Sequence, residues 1–349
     1  MMWISALAAL VAGSLPAFQS FAQTSAPPVK VDQQALVDVM RALPEARSAR
    51  MDREGLAKAE QVLIARLKAL GYDPTLQEVK WSIPARNWKE GQPKDAARPD
   101  DTTEAKTEPV TSNNIIVEIK GKALPDEVVL VSAHFDAAPG APGADDDASG
   151  VAGLVELARV LKDQPLDRTV RFVLFTFEEV GLAGSAEYVR QWRDESKPGG
   201  PREKEKIVAM LSLEMLGFYS DKEGSQKSPF PPIKGVFEPS TVGDNIVLVT
   251  TSAHQPLTKQ MAAAMVAAAP GIKVFRADFA PVPLPDLMRS DHAPFLLAGI
   301  PAVMVTDTAD FRNPNYHKPT DTIETLDLER MTRTVEGLLG AVRELAGGK

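Results

Sequence analysis

The stretch from Val128 to Gly150 constrains the fold of this chain more than any other. It reads VVLVSAHFDAAPGAPGADDDASG, so a run of four apolar residues leads almost directly into a histidine and an aspartate. A short apolar run that ends in polar side chains is typical of a buried strand entering a loop. The loop contains Pro and Gly, it ends in three consecutive aspartates, and helical spacing starts at Ala148. The segment therefore predicts a strand–loop–helix unit with imidazole and carboxylate groups at the end of the strand.

Apolar strand segments and helical segments alternate along the rest of the chain. The pattern predicts strands at 75–82, 114–119, 128–131, 170–177, 207–213, 246–249 and 302–306, and helices at 31–43, 53–70, 148–161, 183–192, 256–269, 292–297 and 326–345. Such alternation predicts an α/β fold with a mixed, mostly parallel central sheet and helices on both faces. Residues 83–112 are rich in Pro, Lys, Asp and Glu and contain no second core, so we expect a charged excursion from a single domain.

The first 22 residues contain no charged side chain. They combine an apolar run from 4 to 17 with the triplet Ser20-Phe21-Ala22, which predicts a signal peptide over residues 1–22. Gly13 and Pro16 interrupt the run, which is also too short for a good membrane span. We therefore expect an exported protein, periplasmic or secreted, without stable membrane association after cleavage. A retained hydrophobic anchor is the alternative.

Composition limits the classes of partner. Hydrophobic residues make up 44% of the chain and charged residues 25%, values typical of a globular protein with a large core. The net charge is -8, and no block of Lys or Arg stands out, which argues against a nucleic-acid partner. The chain has no cysteine, so it forms no disulfides, and an oxidising compartment would leave no mark on the sequence.

Histidine and carboxylate side chains follow four of the predicted strands. Because the carboxyl ends of parallel strands meet at one edge of a sheet, we expect these groups to converge there. Two histidines and three carboxylates suit a pair of divalent ions with one carboxylate shared between them. The residues concerned are His134, Glu178, Glu179, Glu214 and His317, together with Asp146 from the aspartate run.

The spacing also suggests separate roles. Asp146 is the natural bridge, since its loop can project between the flanking strands. One ion would then take His134 and Glu214, and the other would take Glu179 and His317. Asp136, two residues after His134, is placed to accept a hydrogen bond from the second ring nitrogen of that histidine. Glu178 is left beside a ligand, where a free carboxylate can act as a general base.

Six motifs in this chain resemble those of the secreted two-zinc aminopeptidases of the bacterial leucyl type, whose relatives include glutamate carboxypeptidase and glutaminyl cyclase. They are HFD at 134–136, GADDDASGVAG at 143–153, FEEVGLAGSAEY at 177–188, LEMLGF at 213–218, SDHAPF at 290–295 and YHKPTDT at 316–322. The resemblance implies one zinc-dependent peptidase domain over residues 23–349, peptide substrates and two Zn2+ per chain. It assigns five zinc ligands: His134, Asp146, Glu179, Glu214 and His317.

The same resemblance implies hydrolysis of the N-terminal peptide bond of peptides or proteins. The attacking water would bridge the two ions, Glu178 would be the general base, and a hydrophobic N-terminal residue would be preferred. In this family the peptide bond after the bridging aspartate is often cis. One departure is Glu214, because many relatives have Asp at that position.

Several alternatives stay open from the sequence. A single-zinc glutaminyl cyclase, a carboxypeptidase using the same site, and a binding ectodomain without activity could each use this fold. Asp291 and His292 could lie behind the ligands, form a pocket wall or begin a helix. Tyr316 could donate a hydrogen bond to a tetrahedral intermediate or simply pack as an aromatic. Asp145 and Asp147 are expected in a turn or a helix cap rather than as ligands.

Overall fold

The computed structural model describes residues 30–84 and 107–347. Eight strands form one sheet in the order β1-β2-β4-β3-β5-β8-β6-β7. The strands are β1 Thr75–Pro84, β2 Thr107–Ile119, β3 Leu124–His134, β4 Arg168–Phe175, β5 Lys206–Glu214, β6 Ile246–Val249, β7 Val274–Ala277 and β8 Ala302–Thr306.

The centre of the sheet is parallel. Strands β4, β3, β5 and β8 pair in parallel, while β1 and β2 form an antiparallel hairpin and β2 runs antiparallel to β4. At the other edge β6 is antiparallel to β8, and β7 is parallel to β6. The predicted mixed, mostly parallel sheet in one α/β domain is confirmed. The carboxyl ends of the four central strands consequently lie at one edge.

In the described part of the chain, seven α-helices cover the two faces of the sheet. They are α1 Gln33–Ala42, α2 Arg53–Ala69, α3 Gly150–Leu161, α4 Ala183–Glu195, α5 Gln255–Ala268, α6 His292–Leu297 and α7 Leu328–Ala346. Alternate residues of β3 point to opposite faces, as strand geometry requires. Val129 and Val131 belong to the core beneath α1, α3 and α7, whereas Val128 and Leu130 join the cluster that contains residues of α4 and α6.

The predicted charged excursion at 83–112 is wrong at both of its ends. Thr107 pairs with Pro84, and β2 continues from Thr107 through Ser112, so part of this segment belongs to the β1–β2 hairpin. The strand escaped prediction because little of it is apolar and buried, and backbone hydrogen bonds to β1 form the pairing. Residues 85–106 lie outside the described residues.

The predicted signal peptide, residues 1–22, also lies outside the described residues and stays a prediction. Among the helices of the two described ranges, none combines the length and the apolar character that crossing a membrane requires.

Candidate metal centre

The predicted site residues meet at the carboxyl edge of the central strands. His134 is the last residue of β3, and Glu214 is the last residue of β5. Glu178 and Glu179 follow β4 by three and four residues, and His317 lies in the connection between β8 and α7. The parallel pairing of neighbouring strands in the order β4-β3-β5-β8 brings these polar side chains together.

Asp146 lies between the two histidines. Its Oδ1 is 3.2 Å from Nε2 of His134, and its Oδ2 is 2.8 Å from Nε2 of His317. Nε2 of His134 is also 3.6 Å from Oε2 of Glu214, and Nε2 of His317 is 3.2 Å from Oε1 of Glu179. The structure therefore brings together all five residues that were predicted as ligands.

These residues form two groups that share one carboxylate. His134, Asp146 and Glu214 make the first group, and Asp146, Glu179 and His317 make the second. Within each group the donor atoms all lie within 4.8 Å of one another, and the side chains are almost fully buried. One imidazole nitrogen with carboxylate oxygens is a donor set that suits Zn2+. Each group therefore fits a metal ion, with Asp146 available to both.

The turn that carries Asp146 is held by its neighbouring aspartates. Asp147 accepts hydrogen bonds from the backbone N–H groups of His134 and Met215, both at 3.1 Å. Asp145 accepts from the N–H of Gly217 at 2.8 Å and from the side chain of Asn313 at 2.7 Å. Both aspartates are fully buried. They therefore lie in the predicted turn, and they tie it to strands β3 and β5.

The backbone around the site contains unusual conformations. The peptide bond between Asp146 and Asp147 is cis. Six non-glycine residues of the described ranges have positive φ values, and three of them adjoin or belong to the candidate site residues: Phe177 at 59°, Met215 at 58° and His317 at 56°. Phe177 directly precedes the glutamate pair, and Met215 directly follows Glu214. Left-handed backbone at non-glycine residues is strained and concentrates at functional sites, where surrounding contacts enforce it.

Asp136 makes different contacts from those predicted. Its two carboxylate oxygens accept hydrogen bonds from the backbone N–H groups of Glu178 and Glu179, at 3.0 and 3.1 Å. Nδ1 of His134 lies 3.1 Å from the backbone oxygen of Asp136 and 3.6 Å from its Oδ1. The closest acceptor for the imidazole is thus the main chain. The carboxylate mainly anchors the residues that follow β4.

Charge pairing sets the ionisation of the central groups. Burial would raise the pKa of Asp146, but the imidazoles of His317 and His134 lower this pKa well below its ordinary value. Burial would lower the pKa of His317, but the carboxylates of Glu179 and Asp146 raise it to about 9. Because a metal ligand must be an ionised carboxylate or a neutral imidazole, a bound ion has to displace the proton of His317.

A family model described as Peptidase family M28 matches residues 114–342, about two thirds of the chain. The chain belongs to peptidase family M28. All of the predicted site residues lie inside the matched region.

Two curated relatives support the assignment of this M28 chain. It is 33% identical over 220 residues to the uncharacterized protein YfbL of Escherichia coli, a match that covers 61% of this chain and 65% of YfbL. It is 31% identical over 245 residues to aminopeptidase YwaD of Bacillus subtilis, covering 67% of this chain and 45% of YwaD. The M28 chain thus spans less than two thirds of either relative.

Solved structures share the fold of the M28 chain at low sequence identity. BSAP, a zinc aminopeptidase from Bacillus subtilis, matches with a TM-score of 0.66 and 19% identity, covering 92% of this chain and 96% of BSAP. A glutaminyl cyclase from Fimbriiglobus ruber matches with a TM-score of 0.62 and 19% identity, covering 92% of this chain and 97% of the cyclase. At this level of identity both matches establish the fold alone.

Side chains behind the M28 site support its ligands. Oγ of Ser290 donates a hydrogen bond to Oε2 of Glu214 at 2.7 Å, and Asp291 is fully buried in the next position. His292 begins α6, and its Nε2 lies 2.8 Å from the backbone oxygen of Leu287. The segment SDH therefore lies behind the candidate ligand Glu214 and starts a helix, as two of the alternatives for it proposed.

The ring of Tyr316 stacks on the ring of His317, with 3.6 Å between centroids and an interplanar angle of 23°. The guanidinium of Arg289 lies 5.7 Å from the centre of the Tyr316 ring, and its Nη2 is 3.4 Å from the phenolic oxygen. Tyr316 thus packs against a ligand, and it also lines the pocket described next.

A largely apolar pocket opens beside Glu214. Strands β6, β7 and β8 contribute Val247, Val249, Phe275, Ala277 and Met304, and the connection between β5 and β6 contributes Phe230 and Phe237. The aromatic rings of this loop pack edge to face, with 6.4 Å between the centroids of Phe230 and Phe237. A cavity with apolar walls and polar groups at one end is the usual form of a small-molecule or side-chain site.

Two contributors to the site were missed from the sequence. Asp321 accepts hydrogen bonds from the N–H groups of Asp145 and Asp146, at 3.0 and 3.2 Å. Asp321 lies in the motif YHKPTDT, so its position in that motif could have indicated a role at the site. Arg47 is 1% exposed and contacts the backbone around Phe135 and Gly143. It precedes the region matched by the family model, and no motif marks it.

Proposed function

We propose that this chain is a zinc-dependent exopeptidase that hydrolyses the N-terminal peptide bond of peptides or proteins. The observation that carries the proposal is the pair of buried donor groups that share Asp146. Glu178 directly precedes the proposed ligand Glu179, and an apolar pocket opens beside the proposed ligand Glu214. Membership of peptidase family M28 and similarity to aminopeptidase YwaD support this choice.

Each proposed ion has its own set of residues. His134, Asp146 and Glu214 would hold one zinc ion, and Asp146, Glu179 and His317 would hold the other. When bound, the two ions would lower the pKa of the attacking water and polarise the carbonyl group of the substrate. Ser290 would keep Glu214 oriented through its 2.7 Å hydrogen bond, and Asp147 and Asp321 would keep the turn of Asp146 in place.

Glu178 would carry the proton. Its carboxylate would take a proton from the attacking water and return it to the amine of the leaving residue. Oε1 of Glu179 lies 3.2 Å from Nε2 of His317, so Glu179 is assigned as the ligand and the adjacent Glu178 as the base. The two hydrogen bonds from their N–H groups to Asp136 would maintain this division between base and ligand.

The pocket would bind the side chain of the N-terminal residue. Burying an apolar side chain gains about 25 cal/mol for each Å² removed from water, so the apolar walls favour substrates with a large apolar first residue. Peptide substrates and an exported protein complete the proposal. Membership of peptidase family M28 supports peptide substrates, and the predicted signal peptide supports export.

The test combines metal analysis with peptide mass spectrometry. The purified mature protein is analysed for zinc and incubated with a short unblocked peptide that starts with Leu. Two zinc ions per chain and stepwise loss of N-terminal residues are the expected results. One zinc ion with loss of ammonia from an N-terminal Gln would replace the proposal with a cyclase. Trimming from the carboxyl end would show that the substrate binds in the opposite orientation, as in a carboxypeptidase. Absence of bound metal would refute the proposal.

A further inference from the structure

Arg47 is a buried cation beneath the candidate metal centre. It lies between α1 and α2, is 1% exposed, and donates four hydrogen bonds to backbone carbonyl groups. Its Nε donates to the oxygen of Phe135 at 2.9 Å, and its Nη2 donates to the oxygen of Gly143 at 2.6 Å. Its Nη1 donates to the oxygens of Pro142 and Pro44. The guanidinium thus has partners on each of its three nitrogens.

Three of the four acceptors of Arg47 lie at the two ends of one loop. Phe135 directly follows His134, whereas Pro142 and Gly143 come four and three residues before Asp146. The backbone oxygen of Arg47 also accepts a hydrogen bond from the N–H of Ala137 at 3.4 Å. One side chain therefore clamps the segment that joins the first candidate ligand to the shared one, and it does so from outside the segment.

The charge of Arg47 also faces the site. Burial lowers the pKa of its guanidinium, while the carboxylates of Asp146, Asp321 and Asp136 raise it. A buried cation is costly unless its donors are satisfied and opposite charges lie near, and both conditions are met here. Lysine could supply the charge, but its ammonium group lacks the planar arrangement of five donors that reaches several carbonyl groups at once.

We propose that Arg47 is a positioning residue for the metal centre, because its guanidinium fixes the spacing between His134 and Asp146 by clamping the loop that joins them. This inference rests on the proposed zinc-dependent function. Arg47 touches neither metal nor substrate in this assignment. It acts through the backbone of residues 135–143.

The test compares Arg47→Lys with Arg171→Lys. Arg171 is a matched control, since it is 4% exposed and its partners are Glu118, Glu205 and Tyr188 in another part of the sheet. Three quantities are measured for each protein. Chelator competition gives the zinc dissociation constant, absorption spectroscopy reports on the cobalt-substituted protein, and thermal unfolding gives the melting temperature of the chelator-treated protein. Arg47→Lys should weaken zinc binding about tenfold or more and change the cobalt spectrum. Arg171→Lys should lower the melting temperature while leaving zinc affinity and spectrum unchanged.

Zinc affinity and a cobalt spectrum in Arg47→Lys that equal those of the wild type would overturn the inference. A wild-type protein that binds no zinc would instead refute the proposed function. Amide hydrogen exchange on the chelator-treated wild type tests the clamp separately, even if Arg47→Lys does not fold. The N–H of Ala137 donates to the backbone oxygen of Arg47, so it should exchange slowly without metal, as should amides within β3. Fast exchange there would show that the loop is not held against residue 47 in the absence of metal, and would overturn the inference.

Discussion

The backbone N–H of Glu178 donates a hydrogen bond of 3.0 Å to Oδ1 of Asp136. The N–H of Glu179 donates to Oδ2 of the same carboxylate at 3.1 Å. One side chain from the end of β3 therefore holds two consecutive residues that follow β4. Under the proposed assignment of the first as base and the second as ligand, Asp136 would set the position of the base relative to a bound ion.

Replacing Asp136 with Asn should loosen this arrangement. The amide keeps one acceptor oxygen but turns an NH2 group toward the other backbone N–H, so one of the two hydrogen bonds is lost. We expect zinc affinity or turnover to fall about 10- to 100-fold, as for other groups that orient metal ligands. Chelator competition and steady-state kinetics measure both quantities. Asp126→Asn, at an exposed carboxylate on the same strand, is the control, and equal behaviour of the two variants would contradict the role of Asp136.

Glu178→Gln should separate metal binding from turnover. Glutamine has nearly the same shape as glutamate but cannot accept the proton of the attacking water. We expect wild-type zinc content and a kcat reduced about 10²- to 10⁴-fold, the usual contribution of a general base. Elemental analysis and hydrolysis of a peptide substrate measure the two results. Turnover near the wild-type value would exclude Glu178 as the base.

The sharing of Asp146 predicts a difference in metal stoichiometry. His317→Ala removes a ligand from one group only, so one ion should be lost and the other retained. Asp146→Ala removes a ligand from both groups and should lower the occupancy of both. Zinc per chain is measured after dialysis against metal-free buffer. Retention of one full equivalent by Asp146→Ala, or loss of both ions from His317→Ala, would contradict a shared carboxylate.

Ala277→Leu should narrow the pocket. Ala277 is 7% exposed at the end of β7 and lines the cavity beside Glu214. The larger side chain should reduce kcat/KM for peptides beginning with Phe or Leu about 10- to 200-fold, the range by which the size of an apolar pocket discriminates. Peptides that begin with Ala provide the internal control and should be affected little. An equal loss for both substrates would place the N-terminal side chain elsewhere.

His292 should make stability depend on pH. Burial lowers the pKa of this imidazole to about 4, although its hydrogen bond to the oxygen of Leu287 opposes the shift. An unfolded histidine has a pKa near 6.5, so between pH 6.5 and pH 4 the unfolded state binds more protons. The free energy of unfolding should therefore fall as the pH falls through this window, by up to about 3 kcal/mol.

His292→Gln is the comparison for this effect, since glutamine does not titrate and can still donate a hydrogen bond. Urea unfolding of both chelator-treated proteins at pH 7 and pH 4.5 measures the loss. The wild type should lose more stability than the variant. Equal losses would show that the protonation of His292 is not linked to unfolding.

The sequence predicted most elements because their apolar patterns are long and regular. Strand β6 at 246–249, strand β8 at 302–306 and helix α6 at 292–297 have the predicted bounds. Strand β7, Val274–Ala277, was missed because three of its four residues are only half-buried, whereas all four residues of β6 are buried. Such a strand forms through pairing with β6, which no local pattern indicates.

The sequence predicted those site residues whose side chains can themselves bind a metal ion or a proton. His134, Asp146 and His317 follow predicted strands or lie in motifs, so their convergence followed from parallel pairing. The contribution of Arg47 could not be predicted, because it contacts backbone carbonyl groups 88 and 96 residues away. Every residue has a carbonyl group, so such contacts leave no trace in the order of side chains.

The arrangement of the strands separates mutations that affect the candidate metal centre from mutations that affect the pocket. The groups assigned to hydrolysis follow β3, β4, β5 and β8, whereas part of the pocket wall comes from β6 and β7, at one edge of the sheet. Under the proposed function, a mutation on β6 or β7 would alter substrate preference while leaving the candidate ligands in place. Substrate preference in descendants of this chain would then change by small steps, without passing through an inactive ancestor.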